Sequence, residues 1–219
     1  MNMTPIQVKA NQVLHSLNTA GALASRLQMP AATPDRFRIA WALLRASFDD
    51  ACAIAYLLQG HGVEMAGPAF TLLRPMNEKF KRGTWFGFCA SDAEVQAFIA
   101  KDDVPRRNLA AEIEAHPPFD QYPIFTMLYD NAWSRFNSFT HGGGQLVGAY
   151  TLGDGIGAAF PEQDIINMLA HVEGAAVTAV HVMCMICGEF EPDLATHVLD
   201  ELAVAFHPQP GSGAPVHGR

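Results

Sequence analysis

Apolar residues recur at spacings of three and four through most of the chain, the period of helices that bury one side. The clearest run is Phe37, Trp41, Leu44, Phe48, Ala51, Ala55 and Leu58, which predicts a helix over residues 34–59 that stops at Gly60. Ahead of it, Thr4 as cap and Pro5 at the first helical position open a helix over residues 4–28, with Val8, Val13, Leu17 and Leu23 on its apolar side. Residues 63–89 form a third helix that contains Pro68 and Pro75, and Pro75 predicts a kink or a restart. Ser91 and Glu94 make an S-x-x-E capping box for a short helix to residue 101. Another short helix covers residues 107–115. Pro123 then opens a helix whose apolar side is Ile124, Leu128, Ala132, Phe136 and Phe139. Seven glycines between Gly142 and Gly157 predict a loop, with a short extended piece over residues 146–151. Pro161, Glu162 and Asp164 start a long apolar helix that Gly188 ends, and a last helix covers residues 192–206.

Helix follows helix with short connections and without a strand alternation. The expected fold is therefore an all-α, single-domain, up-and-down helical bundle over residues 1–206, followed by a flexible tail over residues 207–219. With 219 residues, 49% hydrophobic and 16% charged, the chain has enough apolar material for one sizeable core. The greasiest helix carries Asn167, His171, Glu173 and His181, which suits a buried core helix and not a membrane span. Four cysteines in a domain of this size do not form a disulfide framework, and no secretory signal follows Met1, so the expected location is the cytoplasm. The net charge of -8 argues against general nucleic-acid binding and requires a local basic patch for any RNA contact.

Two polar stripes interrupt this pattern. Arg74, Glu78, Arg82 and Trp85 line up at four, four and three in the third helix. Glu78 can pair with Arg74 behind it and Arg82 ahead of it, either as a surface ladder or as a basic, aromatic-edged wall of a site. Asn131, Ser134, Arg135, Ser138 and His141 share one side of the helix that ends in Gly142, Gly143 and Gly144.

Other motifs lack their context. The string His141-Gly142-Gly143-Gly144 has no G-x-S-x-G elbow to accompany it as an oxyanion hole. The glycines at 153, 155 and 157 do not sit between a strand and a helix as a phosphate loop requires. Cys184-x-x-Cys187, with His181 nearby, has no second ligand pair and reads as buried thiols, so neither a metal nor a cofactor is expected. His171 and His181 read as satisfied core histidines.

Arg135-x5-His141 carries the chemistry of RNA cleavage by the neighbouring 2′-OH. That reaction needs a proton acceptor and donor titrating near neutrality, and a positive fork on the phosphorane oxygens. Ten Arg and nine His supply about one such pair by chance, so the weight falls on its setting at the end of an amphipathic helix.

The spacing is similar to the Arg-x(4–6)-His signature of HEPN domains, helical bundles found in many metal-independent ribonucleases. The chain also resembles an uncharacterised bacterial all-helical family, through Arg74-Pro75, Glu78, Arg82-Gly83 and Trp85, then Cys89-Ala90-Ser91-Asp92, then Ser138-x-x-His141-x-Gly143. The HEPN resemblance implies His141 as general acid/base and Arg135 on the phosphate. Asn131, Ser134 and Ser138 would orient them, with Glu78, Arg74, Arg82 and Trp85 as a second wall. It further implies a homodimer, an RNA substrate and an antitoxin-type protein partner, in a toxin or phage-defence setting. Phe136 stands where those ribonucleases usually carry a polar residue. The alternative is a non-catalytic helical binding or dimerisation module on the same scaffold.

Overall fold

The computed structural model describes residues 3–105, 107–117, 119–121, 123–126, 138–152 and 155–206. Among these the fold is all-α apart from one two-residue hairpin. The elements are α1 (Pro5–Ala24), α2 (Asp35–His61), α3 (Ala66–Phe88), α4 (Asp92–Lys101), α5 (Leu109–Glu114), α6 (Gly144–Ala149), β1 (Thr151–Leu152), β2 (Gly155–Ile156), α7 (Glu162–Gly188) and α8 (Pro192–Phe206). A 3-10 turn, Gly62–Met65, joins α2 to α3, and another, Phe119–Gln121, follows α5. Residues 124–126 and 138–140 are also helical and fall within the stretch where a helix is expected from Pro123; residues 127–137 lie outside the described residues.

Local chemistry sets most of the helix ends. Thr4 and Gln7 form a reciprocal capping box at α1, and Ser91 and Glu94 form one at α4. Three expectations need correction. α2 does not stop at Gly60 but runs to His61, and the chain turns at Gly62, whose φ of 56° is the left-handed value that a glycine takes without a Cβ clash. α3 continues past Pro75 without a restart. Residues 146–151 are not an extended piece: α6 occupies most of them, and only Thr151 enters β1, which pairs antiparallel with β2. The helical period there is real but short, since Leu146, Ala149 and Tyr150 fall at i, i+3 and i+4 and form the half-buried side of α6.

α7 lies at the centre and packs against α1, α2, α3 and α8. It is long and apolar enough to cross a membrane, but Ile165, Leu169, Val172, Val180, Cys184 and Cys187 are spent in the protein core. Both cysteines are free, and burial pushes the Cys184 thiol up to about 12, so it stays protonated and inert.

α2 and α3 form the tightest pair. Gly83 lets them approach: a Cβ there would sit 3.0 Å from the Ala40 carbonyl oxygen and 2.9 Å from Leu44 Cγ. Gly87, one turn on, does the same against Ile186 of α7. The Ala40 oxygen is backbone and cannot swing aside. Gly83→Ala is therefore expected to cost about 1–3 kcal/mol through overpacking. Gly60→Ala, where nothing lies within 4 Å of the added Cβ, should be neutral or stabilise by up to about 1 kcal/mol through helix propensity. Urea unfolding of the two variants checks the contrast.

Candidate functional site

The site is built on the corner where residues 138–140 leave the helix. Gly142 takes φ 69°, and the Gly143 N–H donates to the Ser138 carbonyl at 2.7 Å. This is a Schellman turn with His141 as the last half-helical residue. The Ser138 side chain makes a second bond in the same place: its Oγ accepts from the Gln145 N–H at 3.0 Å and so caps α6. One residue thus closes the first helix with its backbone and opens the next with its hydroxyl. A Cβ on Gly143 would lie 2.5 Å from Ser138 Oγ and 3.0 Å from Ser138 Cα, so only glycine fits the corner.

Aromatic packing holds this corner to α3. Phe139 stacks on Phe70 with centroids 4.7 Å apart, and Phe160 stacks on the same ring at 5.5 Å. Phe70 is one helical turn before Arg74 on α3. With Phe139 fixed there, the exposed His141 comes down on the half-buried Arg74, whose Nη1 meets His141 Nε2. A guanidinium carries donors only, so in this pair Nε2 accepts and the ring's proton sits on Nδ1.

The other predicted residues are distributed along α3. Glu78 pairs with Arg82 at 3.3 Å and with Lys81 at 3.5 Å, so the ladder forms towards the C-terminal end of the helix. Burial pulls the Lys81 pKa down, and Glu78 pushes against that shift. Trp85 is fully buried and does not meet His141. Its indole N–H donates to Glu112 of α5 at 2.8 Å, and Arg107 lies over its ring while pairing with Glu112 and Glu94. The Arg107 guanidinium holds the Glu112 carboxyl below its usual range. The stripe placed Trp85 with Arg82, but the last turn of α3 faces α5, which periodicity alone does not reveal. Asn131, Ser134 and Arg135 lie outside the described residues.

Beside the corner is a cleft of about 600 Å³ between α3, α6 and the start of α7. Phe70, Leu73, Phe139, Phe160 and Met168 give it apolar walls, and Asp164, Asn167 and His171 project along one side. Those three are spaced by three and four on α7, a polar ridge that the sequence displays but that an otherwise apolar helix disguises as core. His171 is half-buried and hydrogen-bonded, and it also lines the cleft. The amide N of buried Asn77 donates to the Leu73 carbonyl at 2.8 Å, which turns its Oδ1 towards His171 Nε2 at 3.0 Å. Nε2 therefore carries a proton. Arg74 and Asn77 are three residues apart, a rise of about 4.5 Å along α3. Two histidines from distant parts of the chain are thus held on consecutive positions of one helical face.

Among the described residues no group of three His, Cys, Asp or Glu side chains is placed to hold a metal ion. Cys89 is half-buried, and burial raises its thiol to about 11.

Burial pushes the His171 pKa down from the ordinary value near 6.5. The unfolded imidazole then binds a proton more tightly than the folded one. The stabilisation is fully present above about pH 6.5 and is lost as pH falls through the lowered folded value. Urea unfolding at pH 8 and pH 5 should show wild type losing stability on acidification. His171→Gln should lose less over the same interval, although starting about 1 kcal/mol lower from its altered bond to Asn77. An identical acid loss in both proteins would remove His171 as the cause.

No curated protein and no solved structure matches the chain. A family model does, over residues 44–209, a span that takes in α3, the His141 corner, the cleft and α7. The chain belongs to this family, DUF6988, a family of unknown function.

Proposed function

We propose that the His141 corner is the centre of a HEPN-like, metal-independent endoribonuclease. The observation that carries this reading is the pairing of a solvent-exposed imidazole with the Arg74 guanidinium at a fixed helix end. The two groups together supply what 2′-OH attack requires. With RNA bound, the Arg74 guanidinium turns from His141 to the phosphate and frees the Nε2 lone pair, which takes the 2′-OH proton as the oxygen bonds to phosphorus. The bond from phosphorus to the 5′-oxygen breaks, and an imidazolium returns a proton to that oxygen. The products are a 2′,3′-cyclic phosphate and a 5′-OH. Arg74 holds the non-bridging oxygens as negative charge develops on them, sharing the role with Arg135 as the Arg-x5-His spacing suggests. Ser138 serves by holding the turn that aims His141.

The same reading includes a homodimer in which the second subunit's His141 provides the acid, an antitoxin-type partner that restrains the activity, and a cytoplasmic setting. A second reading, a non-catalytic helical binding or dimerisation module, is favoured by the net charge of -8, which opposes RNA approach.

Incubation of generic RNA with the protein in EDTA separates the two. Wild type should release fragments ending in a 2′,3′-cyclic phosphate. His141→Ala should reduce the rate by about 10²–10⁴-fold, and Arg74→Ala by about 10²-fold or more. No cleavage by wild type, or cleavage unchanged in His141→Ala, rejects the nuclease in favour of the binding module.

A further inference from the structure

The cleft between α3, α6 and the start of α7 takes no part in the proton transfers above, and its chemistry is independent of them. We infer that it is a binding site for a compact, uncharged, apolar molecule, roofed by α6 and latched by Tyr150.

Its volume, about 600 Å³, lies within the range of small-molecule sites, roughly 300–1,000 Å³. The polar and apolar parts of its lining leave different things for a ligand. The polar side chains on α7 are already engaged inside the protein: His171 with Asn77, Asn167 with Gln163, and Asp164 as well. Asn167 is exposed and Asp164 half-buried, so both also keep water on their side of the cleft. A ligand rich in donors and acceptors would have to break those bonds or go without partners, and a buried polar group without a partner is costly. The apolar lining carries no such competition. Leu73, Met168, Ala149, Ala159 and the rings of Phe70, Phe139 and Phe160 offer surface that gains by leaving water. Charge is excluded on a second ground. An anion would meet Asp164 in a chain of net charge -8, and a cation would find that carboxylate already engaged.

The roof is a small unit of its own. α6 lends Gln145, Gly148 and Ala149 to the cleft, and none of its residues is fully buried. The hairpin closes behind it: the Gly157 N–H donates to the Tyr150 carbonyl at 3.0 Å, and the Ala159 N–H to the Ala149 carbonyl at 2.8 Å. Ser138 holds one end of this unit through Gln145. Tyr150 holds the other, with its ring edge-on to Phe160 at 5.4 Å and its hydroxyl lying against Gly67 in the first turn of α3. A Cβ at Gly67 would collide with that hydroxyl, so the glycine is the seat of the latch. The far end of a tyrosine swings out without disturbing the core beneath it. A roof with no fully buried residue opens at less cost than the bundle and gives an apolar molecule its way in.

Fluorescence titration of the full chain with N-phenyl-1-naphthylamine, an uncharged apolar probe that brightens on leaving water, tests this. The control is 8-anilino-1-naphthalenesulfonate, the same frame with an anion added. The neutral probe should bind saturably, one per chain, and about 10-fold or more tighter than the sulfonate. Ala149→Trp, which fills the cleft, and Ala159→Asp, which puts a charge in its half-buried wall, should each weaken that binding by about 10-fold or more. Ile156→Ser, which removes the most exposed apolar side chain of the hairpin, should retain it within about 3-fold and so separates the cleft from the outer surface. Gly67→Ala, outside the lining, should speed release of the probe in stopped flow by about 5-fold or more, because it displaces Tyr150. Circular dichroism melting establishes that the variants are folded. No saturable binding, equal binding of the sulfonate, binding unaffected by both Ala149→Trp and Ala159→Asp, or binding lost in Ile156→Ser overturns the site. Release unchanged in Gly67→Ala overturns the latch.

Discussion

The hydrogen bond from the Gly143 N–H to the Ser138 carbonyl is the constraint on which the site depends. It can form only if the residue between His141 and Gly143 adopts a left-handed conformation, and Gly142 does so at φ 69°. It also needs Gly143 to lack a side chain, because Ser138 fills the space that a Cβ would take. With the turn closed, His141 becomes the last position that still points along the helix. The Ser138 hydroxyl then starts α6 from the same point. A histidine on a frayed end would sample many directions; one at a doubly bonded corner has few.

α3 is what the corner is closed against, and its sequence carries the different contacts of the region in register. Phe70 takes Phe139, Arg74 takes His141, Asn77 takes His171, and Gly83 and Gly87 let the helix lie close to α2 and α7. These positions are separated by three, four or six residues, so one rigid helix sets the spacing of groups from both ends of the chain. The core pairing of α2 with α3 is therefore also a positioning device. Loss of the close approach at Gly83 would move Arg74 along with the backbone that carries it. The acidic partners show how the cations on this helix are kept apart: Asp50 takes Lys79 at 2.6 Å, and Glu78 takes Lys81 and Arg82.

The helices are legible in the sequence because burial imposes its period on them, and the cap at Thr4 and the capping box at Ser91 mark their starts through side-chain chemistry. Gly60 misled because a glycine at a helix end is common, whereas the left-handed turn falls two residues later at Gly62. α6 was hidden because six residues carry too little pattern to outweigh the glycines around them. For the site, His141 and Ser138 could be picked out from the polar stripe and the glycines that follow. Their contacts could not. Arg74 reads from sequence as part of a ladder or of a second wall with Glu78, and its direct contact with His141 is hidden, since sequence spacing reveals neighbours along one helix and is silent about a residue 67 positions away that folds onto it. The cleft was missed for a related reason. Asp164, Asn167 and His171 have helical spacing, but the aromatic wall of the cleft they line comes from Phe70, Phe139 and Phe160 on three separate segments.

The central claim is that the corner delivers the His141 imidazole onto Arg74 with Nε2 as the acceptor. Long-range ¹H–¹⁵N correlation spectra of the histidine side chains at pH 8 measure this directly. The account predicts that His141 is the Nδ1–H tautomer, with an Nε2 shift that moves when Arg74 is replaced by Ala and that becomes a tautomeric mixture when Gly143→Ala opens the turn. A wild-type His141 that is already the Nε2–H tautomer, or whose shifts are indifferent to Arg74, would contradict it.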